Sequence, residues 1–237
     1  MVTKAAPSAF KLGAWSFSRF RDHRTCPFFF KCKYIDKLEE PGNDAMQRGT
    51  AIHTLAENFV KGSVKTLPKE LKLFEEEFGV LRKNKALAEG QWAFSAKWEP
   101  TGWFKRAGQP DPWVRIKIDV CMVEKHDNSL SVIDHKTGKF SQYKNPEYEE
   151  QLELYAIGGL LNFPKVDGVR PLLYFLDAGV IHPEGAPLVT HKELPKLQKK
   201  WEAKVKPMFN ETSWKPKPGK QCDWCHFRKA NGGPCPN

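Results

Sequence analysis

Apolar positions along this chain follow two rhythms, one near 3.6 residues and one of two, and the changes between them divide it into elements. From 43 to 61, Met46, Ile52, Leu55, Phe59 and Val60 fall near helical spacing, which predicts a helix carrying His53 and Glu57 on one face. Gly49, early in that run, offers a point where another part of the chain could approach closely. From 65 to 85, Leu71, Leu73, Phe74, Phe78 and Leu81 predict a charged helix that packs one stripe and solvates the rest. Ahead of both, the stretch from Trp15 to Tyr34 mixes arginines with aromatics and opens on a serine suited to capping. It predicts a short helix, a break at Pro27 and a second helix.

The rhythm of two takes over from 91 to 124. Trp92-Ala-Phe-Ser-Ala-Lys-Trp98 reads as a strand, followed by a Gly/Pro-rich interruption through Gly108 and Pro112, then a long strand from Trp113 to Val123. In the long strand, alternation puts Val114, Ile116, Ile118, Val120 and Met122 on one face and Arg115, Lys117 and Asp119 on the other. Asp127 and Asn128 suit a turn into Leu130-Ser-Val-Ile-Asp-His-Lys-Thr-Gly138, a second alternating strand. The pair then brings Asp119 near Asp134. A helix over about 146–161, a strand over 172–180 and a lysine-rich helix over about 193–209 follow, and the Pro- and Gly-rich tail needs some other device to hold it.

The chain has 237 residues, 40% of them hydrophobic, which supports one sizeable core. The expectation is one domain over 1–237: an N-terminal helical segment 1–42, a core 43–192, and a C-terminal helix with its tail, 193–237. A formal charge of +10 makes polyanions, nucleic acid first among them, the natural partners. No run approaches the ~20 apolar residues of a membrane span, and no apolar secretory core opens the chain, so a cytoplasmic protein is expected. Of the six cysteines, Cys26 with Cys32 and Cys222 with Cys225 form two tight groups; in a reducing compartment such groups suggest metal or cluster ligation before disulfides.

Side chains two apart on a strand share a face, so Asp134 and Lys136 point into one space while His135 points away. Two carboxylates on neighbouring strands could bind a divalent ion, and an ammonium beside it could orient or deprotonate an attacking water. Taken singly each residue has a plainer role: His53 as a satisfied core histidine, Asp119 as a strand-end charge, Gln151 and Tyr155 as a half-buried helix face.

Their order changes the reading. Gly49-Thr-Ala-Ile-His53, then Arg115-Ile-Lys-Ile-Asp119, then Val132-Ile-Asp-His-Lys-Thr-Gly138, then Gln151-Leu-Glu-Leu-Tyr155 resembles the RecB-like branch of the PD-(D/E)xK nucleases over nearly the whole chain. The resemblance implies an α/β, restriction-endonuclease-like core: a central mixed β-sheet flanked by helices. It implies that His53, Asp119, Asp134 and the backbone carbonyl of His135 bind Mg²⁺ or Mn²⁺, that Lys136 is the catalytic lysine, and that Gln151 and Tyr155 belong to the site. It also implies that Cys26, Cys222, Cys225 and Cys235 hold a 4Fe–4S cluster tying the two ends of the chain together. The interval from Cys225 to Cys235 is longer than in the best-known members, which keeps a structural Zn²⁺ in the same thiolates as a competitor. Cys32 could replace Cys26, and Cys121 reads as a packed residue.

The function so implied is a metal-dependent DNA exonuclease acting on free, single-stranded ends in recombination, repair or phage DNA metabolism. A recombination partner protein and an oligomer are compatible with it. The alternatives are a non-catalytic nucleic-acid-binding module of the same fold and a structure-specific endonuclease. Arg19, Arg21 and Arg24, with the aromatics Phe28 to Phe30, could contact DNA, although those phenylalanines equally suit a core. The region from Trp92 to Trp113, with Lys97, Lys105 and Arg106, could be a hairpin that grips or splits DNA, and its tryptophans are equally good core residues.

Overall fold

The computed structural model describes residues 12–237, with the backbone alone at Asn145. The first eleven residues of the expected N-terminal segment lie outside that range. By their internal contacts the described residues form two compact units: Gly42–Lys200, and the residues up to Pro41 together with Trp201–Asn237.

The larger unit is built on a mixed seven-stranded sheet in the order β2-β1-β3-β4-β5-β6, with β7 pairing β5. The strands are β1 (Leu87–Phe94), β2 (Pro100–Thr101), β3 (Val114–Glu124), β4 (Ser129–Lys136), β5 (Gly168–Phe175), β6 (Val180–His182) and β7 (Val189–Thr190). Only β4 and β5 run parallel, and their connection contains the long helix α5 (Asn145–Asn162), as a parallel pair requires a crossover. This is the restriction-endonuclease-like α/β core that the sequence resemblance implied. No helix is long and apolar enough to cross a membrane among the described residues.

Helix α3 (Asp44–Val60) starts at Asn43, whose side chain accepts from the Met46 amide. Its buried face of Ile52, Ala56, Phe59 and Val60 joins Phe74, Phe78 and Leu81, the last two on α4 (Glu75–Lys83), in a core with Val120, Met122, Ile133 and Tyr174 of the sheet. Leu73, expected on the buried stripe, is instead 63% exposed, because the segment Lys69–Phe74 is a 3₁₀ turn whose tighter repeat displaces it. Helix α5 is buried nearly all round, and two adjacent glycines let it press against the sheet. A Cβ on Gly158 would lie 2.6 Å from the Trp92 ring, and one on Gly159 would lie 2.8 Å from Val169.

The strand expected over 92–98 ends at Phe94. Ser95 closes a turn by accepting from the amides of Trp98 and, through its hydroxyl, Lys97, and Trp98 takes a positive φ there. The strand begins five residues earlier than expected, at Leu87, and β5 begins four earlier, at Gly168. The alternation expected from Val114 to Met122 also breaks. Ile116 would meet a Cβ on Gly158 of α5, whereas Val120 and Met122 pack with α3 and α4. The break falls at Asp119, opposite Glu89, a left-handed residue (φ 61°) that drops out of an otherwise continuous β1–β3 register.

The smaller unit packs aromatics around α1 (Phe17–Thr25), α2 (Pro27–Phe30) and the end of α6 (Leu194–Phe209). Ser16 caps α1 and Pro27 starts α2, as the sequence predicts. Trp15 stacks on Trp201 at 5.5 Å, and Phe30 stacks on Trp214 at 5.6 Å. Phe30 is wholly buried and belongs to the core, while Phe29 is half-buried and packs against Phe227. Buried Asp22 is satisfied by Tyr34 Oη at 2.8 Å and Lys33 Nζ at 3.2 Å.

Candidate active site

Strands β3 and β4 pair from Val120–Ile133 outward to Glu124–Ser129, so Asp119 and Asp134 stand just past the last paired residues. Asp119 is fixed from two sides: Oδ1 lies 3.0 Å from His53 Nδ1 on α3, and Oδ2 accepts from the backbone amide of His135 at 2.6 Å. Burial is the largest influence on this carboxyl and pushes its pKa up. The bond to His53, the charge of His135 and the His135 amide together outweigh it and hold the pKa below the usual carboxylate range. The same His53–Asp119 bond raises the pKa of His53 against the cost of its own burial.

Asp134, 8% exposed, accepts at Oδ1 from the hydroxyl of Tyr155, which in turn accepts from Gln151 Nε2. Gln151 and Tyr155, one turn apart on α5, therefore act as a chain that ends on the carboxylate. Burial, then the neighbouring charge of Asp134, pushes the Tyr155 phenol well above its ordinary pKa, so it stays a proton donor. Lys136 Nζ is 2.7 Å from Asp134 Oδ2 in an ion pair, yet Oδ2 has no aligned hydrogen bond.

The ring of His135 packs between Phe78 and Tyr174 with centroids 5.2 and 6.2 Å away, and neither ring nitrogen has a hydrogen-bond partner. Complete burial lowers its pKa. The ring is turned away from Asp134 but is not remote, since Nδ1 is 3.8 Å from Asp119. It shares a small cavity with His53, Glu57, Glu89 and Asp119.

Several contributors escape sequence reasoning. Glu89 stands across from Asp119 and pairs with Lys117 at 2.7 Å, raising the pKa of that lysine. Arg48 reaches across the chain to grip Asp177 through two bonds of 2.8 and 2.7 Å, and Asp177 also accepts from the Gly138 amide at 2.6 Å. This clasp joins the start of α3 to the loops after β4 and β5, and Gly138 (φ 98°) supplies a conformation few other residues adopt there. The close approach expected at Gly49 is to the side chain of Thr137, 3.2 Å from where a Cβ would be. None of these pairs leaves a local signal, because the partners are far apart in sequence.

In the smaller unit, Cys26 closes α1 and its Sγ accepts from the Lys217 amide at 3.4 Å. Cys222 lies within the 3₁₀ turn Lys220–Trp224 and Cys225 closes it, and the Cys235 amide bonds back to the Phe227 carbonyl. Burial raises the pKa of Cys225, and the thiols of Cys235, Cys26 and Cys222 add to the rise; Cys235 and Cys225 act in the same direction on Cys32. Cys32 and Cys121 are buried, with thiol pKa values pushed by burial to about 11 and about 12. Arg21 and Arg24 are exposed on α1, whereas Arg19 lies over Tyr34 and Arg24 over Phe20. Among the described residues no three His, Cys, Asp or Glu side chains converge closely enough to hold a metal ion as they stand.

Comparison with known proteins adds the family. No curated protein matches this sequence. Two solved structures are similar over most of their length. One is SSO0001, with 14% identity, 93% of this chain and 87% of that one covered, and a TM-score of 0.47. The other is a provisionally assigned exonuclease from Eubacterium rectale, with 13% identity, 91% and 88% covered, and a TM-score of 0.49. A sequence model of the PD-(D/E)XK nucleases matches residues 14–230, nearly the whole chain, and the protein therefore belongs to the PD-(D/E)XK nuclease superfamily.

Proposed function

We propose that this protein is a metal-dependent DNA exonuclease that trims free, single-stranded ends, with its active site on Asp119, Asp134, Lys136, His53, Gln151 and Tyr155. Members of the superfamily are phosphodiester hydrolases that typically use Mg²⁺ or Mn²⁺. The observation that carries the reading is the juxtaposition of buried Asp134, Lys136 at 2.7 Å and the Gln151–Tyr155 chain, one strand away from Asp119 and its His53.

The donor set fits the ion. Two carboxylates, one imidazole and a carbonyl oxygen are the ligands that hard divalent ions take, and Asp134 keeps a buried oxygen without an aligned hydrogen bond. His53, Asp119, Asp134 and the His135 carbonyl would hold it. When bound, the ion supplies Lewis-acid stabilisation of charge on the phosphate and a lowered pKa for water. The protein's own groups do the rest. Lys136, its ammonium held beside Asp134, orients the attacking water. Tyr155, kept protonated, fixes the Asp134 carboxylate, and Gln151 fixes Tyr155. The +10 charge draws in the polyanion, and with no base-reading element evident, cutting is weakly dependent on sequence.

The same reading treats 1–237 as one nuclease domain and assigns Cys26, Cys222, Cys225 and Cys235 to a structural 4Fe–4S cluster, with Zn²⁺ as the competitor. It is supported by the presence of all four thiols, free of disulfides, in the smaller unit. Four thiolates leave no open position for substrate. Iron, sulfide and zinc content of the purified protein separates the two.

Digestion of end-labelled single- and double-stranded DNA with Mg²⁺ or Mn²⁺, and with EDTA, tests the central claim. Metal-dependent shortening that is lost in Asp134→Ala and in Lys136→Ala, with DNA binding retained, is the expected outcome. Undiminished turnover in either variant overturns the assigned roles, and binding without cutting by the unaltered protein points to the non-catalytic module.

A further inference from the structure

Residues 95–113 connect β1 to β3 by way of the short edge strand β2, and this excursion takes no part in the chemistry described above. It carries two aromatics at its turn, Trp103 and Phe104, and Phe104 is 66% exposed. A single exposed phenylalanine needs no explanation. This one has a particular neighbour. The guanidinium of Arg115 lies under both rings, with Cζ 5.5 Å from the Trp103 centroid and 5.7 Å from that of Phe104. Its Nε is buried without a hydrogen-bond partner, and among the described residues no carboxylate pairs with it. Lys117, two residues nearer the site, is by contrast neutralised by Glu89 at 2.7 Å. A cation held against two aromatic rings and left without a counter-ion is complementary to a ligand with both an anionic group and a flat π-face.

Position says which such ligand. Arg115, Lys117 and Asp119 are alternate residues of β3 on one face, so the stacked arginine stands at the far end of a row that begins at the carboxylate of the active site. Four residues of strand at ~3.3 Å each put about 13 Å between them. That is the length of about four stacked nucleotides at 3.4 Å per base, and of fewer in an unstacked strand. Beside the aromatics lies an open depression of about 400 Å³, lined by Pro100, Thr101, Gly102, Arg106, Gln109 and Pro110, within the size range of small-ligand pockets. Arg106 adds a second positive charge at its rim.

We propose that Trp103, Phe104 and Arg115 form a nucleotide subsite: a base of the substrate strand stacks on Phe104 while its phosphate meets the Arg115 guanidinium, a few nucleotides from the bond being cut. The subsite rests on the nuclease reading for its substrate but makes a separate claim, that one register of the strand is gripped by its base. Stacking of this kind is indifferent to base identity, which matches a nuclease with no sequence reader. It requires a base free of its complement, so it selects single-stranded over paired DNA near the site.

The test uses the full chain without divalent metal, and a single-stranded oligonucleotide carrying 2-aminopurine at each successive position from its end. Quenching confined to one or two adjacent registers is expected. Phe104→Ala should abolish that quenching and weaken binding about 5- to 150-fold, the range for one base–aromatic stack, while Phe104→Trp restores both. Arg115→Gln should lower the slope of log affinity against log salt by about 0.7, the share of one phosphate on a single strand. Uniform fluorescence at every register, or unaltered affinity in Phe104→Ala, with metal-dependent cutting intact, overturns the subsite and leaves the nuclease standing. A protein that neither binds nor cuts any nucleic acid removes both.

Discussion

Replacing Tyr155 with phenylalanine deletes one buried oxygen and leaves the ring packing alone. That oxygen donates to Asp134 Oδ1 and accepts from Gln151, and Tyr155 is 3% exposed. A hydrogen bond to a charged partner contributes about 1.5–3 kcal/mol, and its loss leaves Asp134, whose other oxygen already lacks an aligned donor, with the Lys136 ammonium alone. Gln151 is half-buried and can turn its amide to water, so it adds little to the cost. A net destabilisation of about 2 kcal/mol follows, which for a chain of this size lowers the melting temperature by roughly 4–8 °C. The carboxylate also loses its fixed orientation, and removing such a supporting partner typically costs about 10–100-fold in activity or metal affinity. Thermal unfolding in EDTA measures the first quantity free of metal, and Mg²⁺ titration of the hydrolysis rate measures the second. A variant that melts within a degree of the parent and cuts at the same rate would refute the idea that Tyr155 holds Asp134.

Gly158→Ala should destabilise despite the helix propensity it gains, about 1 kcal/mol, because the new Cβ would fall 2.6 Å from the Trp92 ring and 3.2 Å from Ile116; overpacking costs about 1–3 kcal/mol, read by urea unfolding. His135 should make the protein acid-sensitive. Its pKa is lowered in the folded state, so the unfolded chain binds the proton first, and its contribution to stability, constant above about pH 6.5, falls as the pH drops through and below that value. The unfolding free energy of His135→Phe between pH 5 and 7 should fall less steeply with acid than that of the parent, the remainder coming from His23, whose pKa burial also lowers, and an equal slope in the variant would assign it elsewhere. Cys225→Ala should lower both melting temperature and bound iron or zinc, whereas unchanged metal content would exclude this thiol from any cluster.

The part of the structure that depends on period is legible from sequence. Alternation and a turn at Asp127–Asn128 suffice to pair β3 with β4 and bring Asp119 near Asp134, and the one-turn spacing of Gln151 and Tyr155 suffices to put both on one face of α5. What depends on a partner elsewhere is not legible. Glu89 looks like any helix- or loop-favouring residue between Ala88 and Gly90, and only the register against β3 shows that it faces Asp119 and breaks the alternation of Ile118 and Val120. Arg48 and Asp177 are separated by 129 residues. Trp98 has the composition of a strand, and the Ser95 turn overrides it. The cavity beside Asp119 likewise emerges from α3, β1 and β3 meeting, which no single window of sequence contains.

The bond from the His135 amide to Asp119 has a consequence for how the protein tolerates change. A donor that belongs to the main chain cannot be deleted by exchanging a side chain, so nineteen of the twenty amino acids at position 135 would still present it, and only proline would withdraw it. Codon-by-codon randomisation at 135 would then separate two demands that ordinarily coincide at an active site. Variants would sort by how well they fill the space between Phe78 and Tyr174, while the aim of the Asp119 carboxylate stayed constant across all of them but one.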